Sequence, residues 1–309
     1  MALQTYYSET LTNVGLKYMQ DRSNFASGRV FPNCTVNLLS STYPTYDKSY
    51  WMKNEADVRA PGTESAGSPH ARGTDSYACK DISFHEDVPN EYIANDPSPL
   101  NPEKAATRRV ANKIDIYDEV AFAANFFVTG KWATDLTPGT AWTAAGAGDP
   151  FGNIDTAKAT VKAATGFDPN RILVNRTVYD VLKRHSDIKD QIKYTSSSNV
   201  TTGLLASMFE VEEFIVMNGV YDSAAYGASA SQGFIGSNHC LIYYAPSAPS
   251  LEEPSAGYRF TWNGYGNAGY GVDNFDLPKQ KARRVEAHNY RDFKLVASDL
   301  GYLLDDIVE

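Results

Sequence analysis

Tyr43-Pro44-Thr45-Tyr46-Asp47-Lys48-Ser49-Tyr50-Trp51-Met52-Lys53 and Ser76-Tyr77-Ala78-Cys79-Lys80-Asp81-Ile82-Ser83-Phe84 read as two strands. Between them runs Arg59-Ala60-Pro61-Gly62-Thr63-Glu64-Ser65-Ala66-Gly67-Ser68-Pro69-His70-Ala71-Arg72-Gly73, a polar tip rich in turn residues. The pattern predicts a long hairpin over 43–84 with no core of its own. A two-stranded hairpin is marginal in water, and a strand of ~10 residues reaches ~33 Å. Such an arm projects from its body and makes sense when it lies on another molecule. Tyr43, Tyr46, Tyr50 and Trp51 crowd the first strand, a composition that suits either cross-strand packing or a subunit interface. Arg59 and Arg72 bracket the tip and, with Glu64, are candidates for docking it on a neighbour's charges.

Outward from the hairpin, residues 1–30 mix aromatic and polar types, with a short helix expected from about Leu11 to Asp21 and a strand at Thr35 to Leu39 after Val30-Phe31-Pro32. On the other side, Asn95-Asp96-Pro97-Ser98-Pro99-Leu100-Asn101-Pro102 is a linker that ends in a helix start: Asn101 can cap, and Pro102 fits the first turn, where its missing N–H is not needed. The helix is predicted over 102–129, stopping at Gly130, with Val110, Ile114, Tyr117, Ala121, Ala124 and Val128 as its apolar stripe. At 1.5 Å per residue it would be ~40 Å long, enough to act as the backbone of an elongated subunit.

Beyond it, a helix from about Asp155 to Thr165, the buried strand Arg171 to Asn175, helices at Thr177–His185, near Asp187–Ile192 and around Leu204–Phe209, and buried strands at Phe214–Met217 and Cys240–Tyr244 alternate as in a sheet covered by helices. Tyr258 to Trp262 is a strand, Arg283 to Asn289 a long exposed strand, and Leu300–Ile307 a last strand or short helix. The class is α+β.

The chain has 309 residues, 42% hydrophobic and 21% charged, with a net charge of −9, within the range of a globular protein with a sizeable core. An acidic balance gives no basic footprint for gripping nucleic acid. Cys34, Cys79 and Cys240 are odd in number and far apart, without a CxxC pair, and read as reduced thiols. The start lacks a basic, apolar leader pattern, and no stretch approaches the ~18–20 apolar residues of a membrane span.

Motifs for chemistry are sparse. Gly264-x-Gly266-x-x-Gly269 has dinucleotide-fingerprint spacing, but Tyr270-Gly271-Val272-Asp273 is a poor helix start, so the stretch reads as a turn-rich connection. The five histidines are scattered, and Asp115, Asp118 and Glu119 on one helix read as a solvated face. No catalytic, cofactor or metal residue is assigned.

In order and spacing the segments resemble the major capsid proteins of tailed bacteriophages, whose shell fold is shared with encapsulins and the herpesvirus capsid floor. Residues 1–42, ending in Val30-Phe31-Pro32, look like the N-terminal arm; 43–84, with Arg59-Ala60-Pro61-Gly62-Thr63-Glu64, like the E-loop hairpin; and Asp96-Pro97-Ser98-Pro99-Leu100 with 102–129 like the entry to a long spine helix. Asp168-Pro169-Asn170-Arg171-Ile172-Leu173-Val174-Asn175 is similar to the first buried strand of the axial domain, and Arg283-Arg284-Val285-Glu286 to the long strand of the peripheral domain. The resemblance implies a peripheral domain over 85–140 and 273–290 and an axial domain over 141–272 and 291–309. It implies a non-enzymatic subunit that self-assembles into hexamers and pentamers of an icosahedral head enclosing double-stranded DNA. Its expected partners are itself, a scaffolding protein, a portal protein and, in some heads, a decoration protein, with no membrane and no sequence-specific DNA contact. The place expected is the virion, after synthesis in the host cytoplasm. No cleaved N-terminal segment is expected, nor are the cross-linking residues of some family members matched. An encapsulin-type compartment is the nearest alternative; an enzyme or a carbohydrate-binding tail or decoration protein is the alternative of another class.

Overall fold

The computed structural model describes residues 20–45, 48, 52–67, 72–95, 101–193, 200–225, 227–249 and 253–308. In chain order, a short helical turn α1 (Ser27–Val30) precedes β1 (Asn33–Val36), β2 (Ser40–Thr45), β3 (Gly73–Ala78) and β4 (Lys80–Pro89). Helices α2 (Asn90–Ala94) and α3 (Pro102–Phe126) follow, then β5 (Thr134–Leu136), α4 (Pro150–Thr165), β6 (Arg171–Asn175), α5 (Arg176–Leu182), α6 (Ser186–Ile192) and α7 (Thr202–Met208). The chain continues through β7 (Glu213–Met217), β8 (Val220–Asp222), β9 (Gln232–Phe234), β10 (Cys240–Tyr243), β11 (Gly257–Trp262), β12 (Tyr270–Leu277), β13 (Ala282–Leu295) and β14 (Gly301–Leu304). The predicted helix Leu11 to Asp21 falls almost wholly outside the described residues.

Two five-stranded sheets carry the fold. In the first, β13 is central: β4 pairs with it over Ala282–Arg291, β12 over Ala282–Asn289 and β11 over Arg291–Leu295, while β1 adds in parallel to β11. The second runs β5-β14-β10-β6-β7, with β6 and β7 parallel and β10 antiparallel to both β6 and β14. Its inner strands are buried on both faces, which is why they read as continuous apolar runs. Ile172, Val174, Ile242 and Leu304 face α4 to α7 together with Trp142, Ile154 and Leu205. Leu173, Leu241, Tyr243 and Leu303 face the other way, onto Phe31, Phe122 and Phe127.

The spine helix α3 joins the two cores. Asn101 caps it by accepting from Lys104 N at 3.1 Å, and Pro102 sits in its first turn, as its sequence requires. Ala106, Val110 and Ile114 pack on Val285 and Ala287 of the first sheet, whereas Phe122 and Ala123 pack beneath the second. The helix ends at Phe126, one turn before Gly130.

Several expectations need correction. The second hairpin strand does not run from Ser76 to Phe84: the β2–β3 pairing ends at Ala78, and β4 leaves the hairpin to join β13. The hairpin base also has a core, since Tyr77 stacks on Phe260 at 4.6 Å and packs with Cys79, Cys34 and Trp262. Strand β1 begins at Asn33 and ends at Val36, leaving Leu38 and Leu39 exposed. The spine stripe is rotated from the predicted one: Tyr117 is exposed, and the buried row runs through positions 106, 110, 114, 118 and 122. Asp118 and Glu119 are therefore interior, not a solvated face. Arg283 to Asn289 lies on the middle strand of a sheet, with Val285, Ala287 and Asn289 buried against the spine. Helix α4 starts at Pro150 with Asp149 as its cap, five residues before the predicted start. Strand β11 hydrogen-bonds into the first sheet, so the change from second to first sheet falls at Gly257 rather than at 273. The Gly264–Gly269 stretch is, as expected, a turn-rich connection; it leads into a strand, with Gly266 and Gly269 at positive φ.

Candidate assembly surfaces

The hairpin anchors at its base and is bare towards its tip. Tyr43 donates its hydroxyl to Asp75 Oδ2 at 2.8 Å and lies 5.6 Å from the Phe260 ring, so it is held within its own chain. Burial, then the Asp75 hydrogen bond, raises its phenol pKa. Ala78 N donates to Asp292 Oδ2 at 3.0 Å, tying the base to β13. Further out, Lys48 forms an ion pair with Asp299, and Met52 Cε lies 3.6 Å from where a Cβ on Gly166 would stand. This limb thus follows its own subunit for part of its length instead of projecting at once. Residues 52–67 are exposed throughout, with Val58 95% exposed. At the tip, Thr63 N and Oγ1 both donate to Ala60 O, and Arg59 Nη1 donates to Thr63 O at 3.3 Å.

Of the sequence-predicted interface residues, Tyr46, Tyr50 and Trp51 lie outside the described residues. Arg59, Glu64 and Arg72 are exposed, and among the described residues no ion pair is formed by any of the three. Tyr43 is engaged instead by Asp75 and Phe260.

The arm forms a second surface, which sequence reasoning missed. From Gln20 to Phe31 it runs alongside the spine helix in the same direction. Asn112 Nδ2 donates to Gln20 O at 3.3 Å, Arg22 makes a two-pronged pair with Asp115 at 2.8 and 3.1 Å, and Glu119 receives the N–H groups of Ala26 and Ser27 at 2.6–3.0 Å. Burial pushes the Glu119 carboxyl up, and the Ala26 and Ser27 N–H groups pull it back. Beside it, Asp118 turns to the first sheet, pairing with Arg291 and accepting from Asn289 Nδ2 at 2.8 Å, with Arg259 at 3.8 Å. Burial raises the Asp118 carboxyl pKa, opposed by Arg291, and lowers that of the Arg259 guanidinium. The signal for Asp118 was present: it stands four residues from Ile114 and four from Phe122, on the buried row.

These surfaces are built for packing and pairing. Among the described residues, no group of three or more His, Cys, Asp or Glu is placed to hold a metal ion, and no helix is long and apolar enough to cross a membrane. An arm along a spine helix, a hairpin based on the first sheet and a second, helix-covered sheet define the shell-forming fold of tailed-phage capsids. A solved phage-related protein from Bordetella bronchiseptica has this fold at 22% identity and TM-score 0.69, covering 97% of each chain. The encapsulin SrpI from Synechococcus elongatus has it at 10% identity and TM-score 0.59, covering 98% of this chain and 97% of its own. A structure of Mycobacterium phage Adephagia has it at 12% identity and TM-score 0.56, covering 98% and 94%.

Two sequence comparisons point the same way. Residues 109–251 match the family described as phage major capsid protein E, and the chain is 24% identical over 308 residues to the major capsid protein of Burkholderia phage BcepMu, covering 96% of this chain and 95% of that one.

Proposed function

We propose that the chain is the repeating subunit of an icosahedral phage head, assembled as hexamers and pentamers around double-stranded DNA. The observation that carries this reading is the hairpin, anchored at its base by Tyr77 on Phe260 and exposed along residues 52–67. Val58 is 95% exposed in this limb, and covering it on a neighbour removes apolar surface from water. Arg59 and Arg72 dock the tip on a neighbour's carboxylates. The net charge of −9 suits enclosing DNA without adhering to it. Assembly proceeds in the host cytoplasm on a separate scaffolding protein, with a portal at one vertex and a decoration protein as a possible addition. The particle is held without covalent links.

Deleting residues 54–66 tests this. The body keeps its fold, because those residues are exposed and unpaired with either sheet, while closed shells no longer accumulate in electron micrographs of protein co-expressed with its scaffold. Shells of normal yield and stability from the deletion would overturn the reading. An encapsulin-type compartment is the second reading, favoured by the fold likeness to SrpI. Purified particles that contain a co-packaged enzyme and no DNA would establish it instead.

A further inference from the structure

The turn α1 is gripped at both ends by groups from different parts of the molecule. At its start, the Glu119 carboxylate on the spine accepts from Ala26 N at 2.9 and 3.0 Å and from Ser27 N at 2.6 Å. At its end, Arg171 on β6 donates through Nη1 to Arg29 O at 3.0 Å and Val30 O at 3.2 Å, and the Tyr243 hydroxyl on β10 donates to Val30 O at 2.9 Å. Arg29 answers with an ion pair to Glu213 on β7. From the first sheet, Arg259 Nη1 stands 3.5 Å from where a Cβ on Gly28 would be. Phe31 then enters an aromatic box of Phe122 and Phe126 from the spine and Tyr243 from the second sheet, at 5.4–6.2 Å. Spine, first sheet and second sheet all meet on this one turn.

A helical turn of four residues has no stability of its own, because nucleation fixes several residues for one hydrogen bond. Its conformation comes from the two grips. If either is lost, the turn unwinds and the other grip loses its partner as well. We propose that α1 is a two-state joint, seated or released as a unit, through which engagement of the arm acts on the spine and the second sheet together. Seated, it fixes the Gln20–Phe31 segment along the spine and closes the second sheet's inner core. Released, it frees the arm and exposes the Phe31 box in one step. Among the described residues no hydrogen bond or ion pair joins Glu119 to Arg171, and the turn is the backbone segment that both of them hold. The inference concerns the single subunit and stands whether or not the shell reading holds.

Amide exchange on the full-length, unassembled chain tests it, using Glu119→Gln, Arg171→Met and the double variant. A charge-assisted hydrogen bond is among the stronger ones, so each single change should speed exchange across residues 26–31 by about tenfold or more. The double change should add less than about twofold to the larger single effect, because one loss already releases the joint. Amides of Leu241 and Ile242, buried in β10, stay protected and report that the body is folded. If Arg171→Met does not fold, Tyr243→Phe replaces it, deleting only the hydroxyl that serves Val30 O, with the same non-additive outcome expected. Effects that multiply in the double variant would make the two grips independent and overturn the joint. Exchange unchanged by Glu119→Gln would overturn it too.

Discussion

Replacing Asp118 by Asn removes one negative charge from the interior without changing the side chain's size. In the folded chain Asp118 and Arg291 are 7% and 5% exposed, so neither is rescued by water when its partner is lost. The change leaves two guanidiniums, Arg291 and Arg259, facing a neutral amide beneath the spine. Removing one partner of a buried pair costs about 3–5 kcal/mol, since the remaining charge is uncompensated. At roughly 2.1 cal/mol/K of unfolding entropy per residue, the 309 residues give about 0.65 kcal/mol/K, so the thermal midpoint should fall by about 5–8 °C. Scanning calorimetry of the unassembled subunit measures it. Asp118→Asn with Arg291→Met should recover part of the loss, because a pair replaced as a whole costs less than a pair broken. A fall below about 2 °C for Asp118→Asn, or a double variant equal to the sum of the singles, would refute the reasoning.

The carboxylates divide by sign in their pH dependence. Arg284 holds the Asp87 carboxyl low through hydrogen bonds at 2.7 and 2.8 Å, and the Ser76 N–H and then Tyr43 hold that of Asp75 low. Their contribution is present above the unfolded value of about 4 and is lost as pH falls through the lowered folded values. Glu119, raised by burial, acts oppositely: its contribution is present at acid pH and is lost as pH rises from about 4 through the raised value. Asp87→Asn should therefore flatten the acid limb of midpoint against pH, and parallel curves for the two proteins would contradict it. Cys34 is half-buried, Cys79 is buried with its thiol pushed up to about 11, and Cys240 is wholly buried. An aromatic disulfide at pH 8 should titrate Cys34 first and the other two only on unfolding; three fast thiols in the native chain would count against this packing. A Cβ on Gly301 would stand 2.1 Å from the Trp132 ring, so Gly301→Ala should cost about 1–3 kcal/mol, whereas Gly203→Ala, with open space around it in α7, should be neutral or stabilising in a urea melt.

The fold was legible where the reason for an element is local. Asn101-Pro102 marked the start of the spine, and Arg171-Ile172-Leu173-Val174-Asn175 marked a strand buried on both faces, with the same bounds in the structure. What failed depended on contacts distant in sequence. Nothing between Ser76 and Phe84 says that the chain stops pairing with β2 at Ala78, because the competitor is β13, about 200 residues later. Likewise Arg283 to Asn289 alternates charge like an exposed strand, but its charges are spent within the fold, as in the pairs of Arg283 with Glu103 and Arg284 with Asp87. Of the candidate interface, the bare tip with Arg59, Glu64 and Arg72 was readable from its turn residues. The arm clip was not, since Glu119 meets partners more than 90 residues before it.

The buried acids of the spine also explain how a long, weakly apolar helix keeps one orientation. Between Ala106 and Phe122 its inner row offers Ala, Val and Ile to the first sheet, small side chains that would pack nearly as well after a modest rotation. Asp118 and Glu119 remove that freedom, because a rotated helix would bury both carboxylates without Arg291, Asn289 or the arm's N–H groups, at a cost of several kcal/mol per ion. The pairs therefore contribute less to net stability than to choosing one arrangement among near equals. The adjacent positions point to different partners, Asp118 to the first sheet and Glu119 to the arm, so a single register of the spine satisfies both. That choice sets where the arm and the base of the hairpin stand relative to the two sheets.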